Sequence, residues 1–98
     1  MIKQVWKTDL NLSQATNTTV VWLPVGTKLI HVQMQNNKVC LWYLVDIQEK
    51  NMERREFIIH GTGHNIFLRK NGAGEVYVGT AISKNDNFVW HVFEIKEK

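Results

Sequence analysis

The chain has 98 residues, a single cysteine and a formal net charge of +3, so it encodes one domain spanning 1–98, with a modest core and no intrachain disulfide. Hydrophobic residues make up 44% and charged residues 21%, a balance that excludes a disordered chain. No stretch reaches the roughly 18 apolar residues of a membrane span, and Met1–Lys7 lacks the apolar centre of a signal peptide; with the lone thiol, this predicts a reduced, cytoplasmic setting away from membranes.

In chain order the sequence predicts strands over 2–8, 18–23, 28–35, 38–46, 54–60, 75–83 and 87–95. These stretches are rich in Val, Ile, Thr, Phe, Tyr and Trp, and the breaks between them carry turn chemistry. A short helical turn at 12–15, capped by Ser13, is the one helical expectation. Pro24-Val25-Gly26 separates the second and third strands. Asn36-Asn37 is expected to form a two-residue hairpin turn, because asparagine tolerates positive φ. Asn71–Gly74 and Lys84–Asn87 mark the later turns.

The third strand alternates, with Ile30, Val32 and Met34 on one face and His31, Gln33 and Gln35 on the other. The fourth is apolar on both faces: Val39, Leu41, Tyr43 and Val45 oppose Cys40, Trp42 and Leu44. The last repeats this pattern, with Phe88, Trp90 and Val92 against Val89, His91, Phe93 and Ile95. One thin β-layer cannot cover both faces of such strands. The expectation is an all-β fold, a small antiparallel β-sandwich or barrel of about seven strands, assembled as a homo-oligomer. A monomer closed on itself is the competing reading.

The chemistry-bearing residues concentrate after the run Phe57-Ile58-Ile59-His60. There Gly61-Thr62-Gly63-His64 can turn sharply and expose backbone N–H groups. Arg54, Arg55 and Arg69 supply candidate anion donors, and Trp22, Trp42, Tyr43 and Trp90 supply candidate stacking faces. The candidate ligand-binding set is therefore His60, Gly61, Thr62, Gly63, His64, Arg54, Arg69, Trp42 and Trp90. The competing reading makes the tryptophans core and the glycines a plain tight turn.

Catalysis has less support. The His60-x-x-x-His64 spacing crosses a turn, with no second cysteine, so it is no metal motif, and no metal or other cofactor is expected. Ser13 and Ser83 lie in no nucleophile elbow, and Cys40 reads as a buried, inert thiol. Asp46, Glu49, Glu53 and Glu56 alternate with Lys50, Arg54 and Arg55, which reads as a solvated loop. His91, between Trp90 and Val92, reads as a core histidine with one satisfied nitrogen. The chain is not expected to be an enzyme; a hydrolase using His60 and His64 as acid and base is the residual alternative. Nucleic acid is disfavoured, since the Lys and Arg positions are scattered.

Several stretches carry a family resemblance: Trp22–Ile30, Val32–Asn36, Cys40–Asp46, Phe57–Ile66, Val78–Thr80 and Val89–Glu94. Across these, the chain resembles a family of small proteins from bacteriophages and bacteria. It departs at Ile47, where that family often carries a proline. The resemblance carries no enzyme assignment. It implies a phage-type accessory protein in the cytoplasm of an infected or host bacterium, similar in kind to oligomeric proteins that trap nucleotide signals of host defence. The expected function is binding and sequestering a nucleotide-derived anion without turnover. The alternative is a module that binds and inhibits a host protein.

Overall fold

The computed structural model describes residues 1–10, 12, 18–66, 74–84 and 87–96. The helical turn expected at Ser13, most of the turn at Asn71 and the tip at Asn85-Asp86 lie outside these residues. The described residues form seven strands: β1 (Lys3–Leu10), β2 (Thr18–Pro24), β3 (Lys28–Gln35), β4 (Lys38–Asp46), β5 (Met52–Gly61), β6 (Gly74–Ile82) and β7 (Val89–Lys96). They form a three-stranded sheet in the order β1-β4-β3 and a four-stranded sheet in the order β2-β5-β7-β6, antiparallel throughout. The result is a small sandwich, not a closed barrel.

The turn chemistry acts as expected. Asn36 and Asn37 take φ of 52° and 63°, the paired positive values of a hairpin turn that matches strand twist. Gly26 takes φ of 85° while Thr27 N–H donates to the Pro24 carbonyl at 3.1 Å, a type II turn that carries the chain from one sheet to the other.

Alternation then fills the space between the sheets. Val39, Leu41, Tyr43 and Val45 of β4 face Leu23, Phe57, Ile59, Ala81 and Val92 of the other sheet in one buried cluster. The outer face of β4 carries Trp42 and Leu44, half-buried, and the buried Cys40.

Ile30 was expected inward with Val32 and Met34, but the register with β4 shifts between Leu29 and His31. Ile30 is the extra residue of a bulge; Leu29 packs on the core in its place, and Ile30 is exposed. A second bulge, between Tyr77 and Gly79, lies in β6. There the sheets approach closely, since a Cβ built on Gly79 would stand 2.9 Å from Val32 Cβ. The sandwich is thus pinched shut where β3 meets β6.

A charge on the core side of the sheet was also not expected. Glu94 is paired with Phe57 and lies on the same face as Val92. Its carboxylate accepts from Arg55 Nε at 2.6 Å and Arg55 Nη2 at 2.8 Å, while Arg55 Nη1 donates to the Thr27 carbonyl at 2.6 Å. Only 12% of the Arg55 side chain and 5% of the Glu94 side chain are exposed. The loop reading holds for Glu49 and Lys50, but Glu53–Glu56 belongs to β5, and one of its arginines is internal. Burial alone would push the Glu94 carboxyl up; Arg55 and the nearby Lys96 outweigh it and hold the group below its ordinary value.

Candidate functional site

Strand register decides which predicted residues meet. His60 pairs with His91, and His91 pairs with Thr80, so three polar side chains line up across β5, β7 and β6 on the outer face of the four-stranded sheet. Thr62, two residues beyond His60, reaches the same face: its hydroxyl lies 2.8 Å from His91 Nε2. Thr80 Oγ1 lies 3.1 Å from His91 Nδ1 and 2.6 Å from the Tyr77 hydroxyl. The outcome is a continuous surface relay, Thr62–His91–Thr80–Tyr77. His91 is thus on the outer face with both ring nitrogens engaged, where a core position had been expected. Beside the relay, His60 Nε2 meets Glu75 Oε1 at 2.7 Å, and His60 and Tyr77 both pack edge-on against Phe93.

The proton count of this relay is informative. A neutral imidazole donates from one nitrogen and accepts at the other. If Nε2–H donates to Thr62, Thr80 must donate to Nδ1 and Tyr77 to Thr80, leaving the Thr62 proton free. If Nδ1–H donates to Thr80, Thr80 donates to Tyr77, leaving the Tyr77 proton free. Either way one hydroxyl proton at an end of the relay is available to an acceptor. A bound acceptor selects the tautomer.

The glycine corner itself is arranged differently from the expected anion nest. Thr62 N–H donates to the Val89 carbonyl at 3.1 Å and His64 N–H to the Gly61 carbonyl at 3.0 Å. The first donor is spent on β7 and the second on the turn. Gly63 takes φ of 84°, which closes it. The His64 ring folds back over Gly61, where an added Cβ would stand 2.6 Å from His64 Cε1, and its ring centroid lies 6.1 Å from that of Trp90. Phe88, 53% exposed, continues this aromatic rim at 5.6 Å from Trp90. His64 and Trp90 therefore lie on the inner side of the sheet end, and His60 and Thr62 on the outer side. The backbone separates the two imidazoles that an acid–base pair would need together.

Gly61→Ala isolates this detail. The alanine Cβ is expected to drive the exposed His64 ring off Trp90 at a stability change below about 1 kcal/mol, because the displaced group is a side-chain end free to move. Loss of the Trp90 ring-current shift on His64 protons would report it; an unmoved His64 would contradict the packing.

The other predicted residues are not brought to the corner. Arg54 lies at the opposite end of β5, six residues from His60 and so about 20 Å along the strand. It stands 3.7 Å from Glu56. Trp42 is on the outer face of the other sheet, 5.7 Å from His31. Arg69 lies outside the described residues. The sequence reading missed His91, Thr80, Tyr77 and Phe88 as site residues. Among the described residues no three His, Cys, Asp or Glu side chains converge as a metal site. Cys40 is buried, and its thiol is pushed up by burial and by its bond to Asp9 at 3.2 Å, which keeps it protonated. Among the described residues no helix is long and apolar enough to cross a membrane.

The whole chain, residues 1–98, matches the model of a domain of unknown function, DUF7352, and the protein belongs to that family. No curated protein and no solved structure matches it.

Proposed function

From membership in a family without an assigned activity, we propose that this protein is a small binding domain that captures a nucleotide-derived anion without turning it over. The observation that carries this reading is the Thr62–His91–Thr80–Tyr77 relay, a surface hydroxyl–imidazole chain with one proton to give. A phosphate oxygen at the Thr62 end would accept that proton as a charge-assisted bond. The Tyr77 ring, on the same outer face as the relay, offers a surface for a base. The net charge of +3 favours an anion over a cation. In this reading the domain is a phage-type accessory protein of the bacterial cytoplasm that sequesters a defence signal. Its supports are the family resemblance and the single thiol.

Titration calorimetry with a panel of cyclic and linear nucleotides tests this proposal. Thr62→Val keeps the shape and removes the hydroxyl. It is expected to weaken binding about tenfold, the loss of one hydrogen bond to a charged group, with the melting temperature unchanged. Equal affinity in wild type and variant would remove the relay from the site.

A second reading has its own support. Val20 and Trp22, 42% and 61% exposed, stand beside Arg54 on the outer face near the β2 edge. An exposed indole beside an arginine is the composition of a protein-docking hot spot, which suits a module that inhibits a host protein. Trp22→Ala would abolish capture of that partner while leaving nucleotide binding intact.

A further inference from the structure

We propose that the free edge of β1 is the homodimer interface, pairing antiparallel with β1 of a second copy about a two-fold axis at Trp6. The sheet would then run through six strands, from β3 of one protomer to β3 of its partner.

Among the described residues the two sheets have four edge strands: β1, β3, β2 and β6. Three are blunted in ways that discourage pairing. β3 and β6 carry the two bulges, and β2 ends in Pro24. β1 has neither. It keeps unbroken register with β4 over all eight residues, and Lys3–Lys7 is exposed on both faces. Val5 and Trp6 are 55% and 39% exposed. Such an edge is a template for a further strand.

The free backbone groups fix which residues can pair. Ile47 N–H donates to the Ile2 carbonyl at 3.1 Å, so the even-numbered residues of β1 turn their backbone groups toward β4. The odd-numbered residues Lys3, Val5, Lys7 and Asp9 turn theirs outward. A two-fold ladder must therefore oppose odd residues to odd residues, which leaves few registers. Centring on Val5 opposes Lys3 to Lys7. Centring on Lys7 opposes the two Lys7 side chains. Both place like charges directly across the ladder, which is destabilising. Centring on Thr8 pairs only the end of the strand.

Centring on Trp6 uses Lys3–Asp9 and opposes Lys3 to Asp9 of the second copy, twice by symmetry. Val5 then faces the stem of Lys7, and the two indoles meet on the inner side. The lysines that would repel a foreign edge thus select one self-complementary register. This inference stands apart from the ligand reading, since β1 contributes nothing to the relay.

Disulfide trapping tests it. In the Trp6-centred register the two Trp6 positions form a non-hydrogen-bonded pair with Cα atoms about 4.5 Å apart, within disulfide reach. Trp6→Cys is expected to give a covalent dimer on mild oxidation, whereas Val5→Cys and Lys7→Cys remain uncrosslinked. The native Cys40 is buried and does not interfere. Sedimentation of the otherwise unmodified chain gives a second readout: Lys3→Glu is expected to raise the dimer dissociation constant about tenfold, through two lost charge pairs turned repulsive. A wild-type chain that sediments as a monomer would overturn the proposal, as would crosslinking through position 5 or 7 in place of 6.

Discussion

Arg55→Met is expected to destabilise the domain by about 3–5 kcal/mol, because it leaves the buried Glu94 carboxylate with only the half-exposed Lys96, 3.2 Å away, as a charged partner. The substitution removes both guanidinium bonds to Glu94 and the bond to the Thr27 carbonyl. For a chain of this size that is a large fraction of total stability. The double variant Arg55→Met, Glu94→Leu is expected to recover most of the loss, because an apolar pair of similar volume removes the charge along with its partner. Urea unfolding of the single and double variants distinguishes this from simple loss of packing, which the double variant would worsen. The same pair predicts an acid limb. Glu94 is held below its ordinary value of 4.5, so its contribution is complete above that value and is lost as the pH falls through the lower folded value. The double variant should lose less stability on acidification than wild type; equal loss would place the acid sensitivity elsewhere.

Gly79→Ala is the second large effect, expected at about 1–3 kcal/mol by overpacking. The added Cβ would meet Val32 Cβ and Cγ2, each at 2.9 Å. Val32 is itself buried, 6% exposed, and held on β3 opposite Leu41. Neither group is a mobile side-chain end, so the sheets must separate where they are pinched. Val32→Ala should relieve only part of this, because it removes Cγ2 but keeps Cβ, and both stand at 2.9 Å. Thermal melts of the two single variants and the pair measure the coupling. A Gly79→Ala chain as stable as wild type would mean that the sheets lie further apart at this point.

Most of the fold is legible in the sequence because its strands are marked twice, by alternation and by turn residues. The 28–35 and 38–46 strands were bounded by Asn36-Asn37 on one side and by Gly26 and Asp46 on the others, and they fall where expected. The bulge at Ile30 was not legible: Leu29 and Ile30 are both apolar, and only the register against β4 decides which one turns inward. Arg55 and Glu94 did leave a signal. Each continues the core face of its strand, two residues from Phe57 and from Val92, so the alternation that placed the core also placed a cation and an anion inside it. The relay was harder to see. Thr62 and His91 are neighbours only because β7 inserts between β5 and β6, an order that local pattern does not encode. For the same reason Trp42 and Arg54 were grouped with a corner that neither reaches.

If the relay captures an anion without turnover, the bound nucleotide stays intact. Native mass spectrometry of the protein, incubated with the nucleotide panel, tests it most directly. A complex whose added mass is an intact nucleotide is expected, at a clearly smaller bound fraction in Thr62→Val. Wild-type protein that takes up nothing from the panel, or that releases a cleaved product, would contradict it.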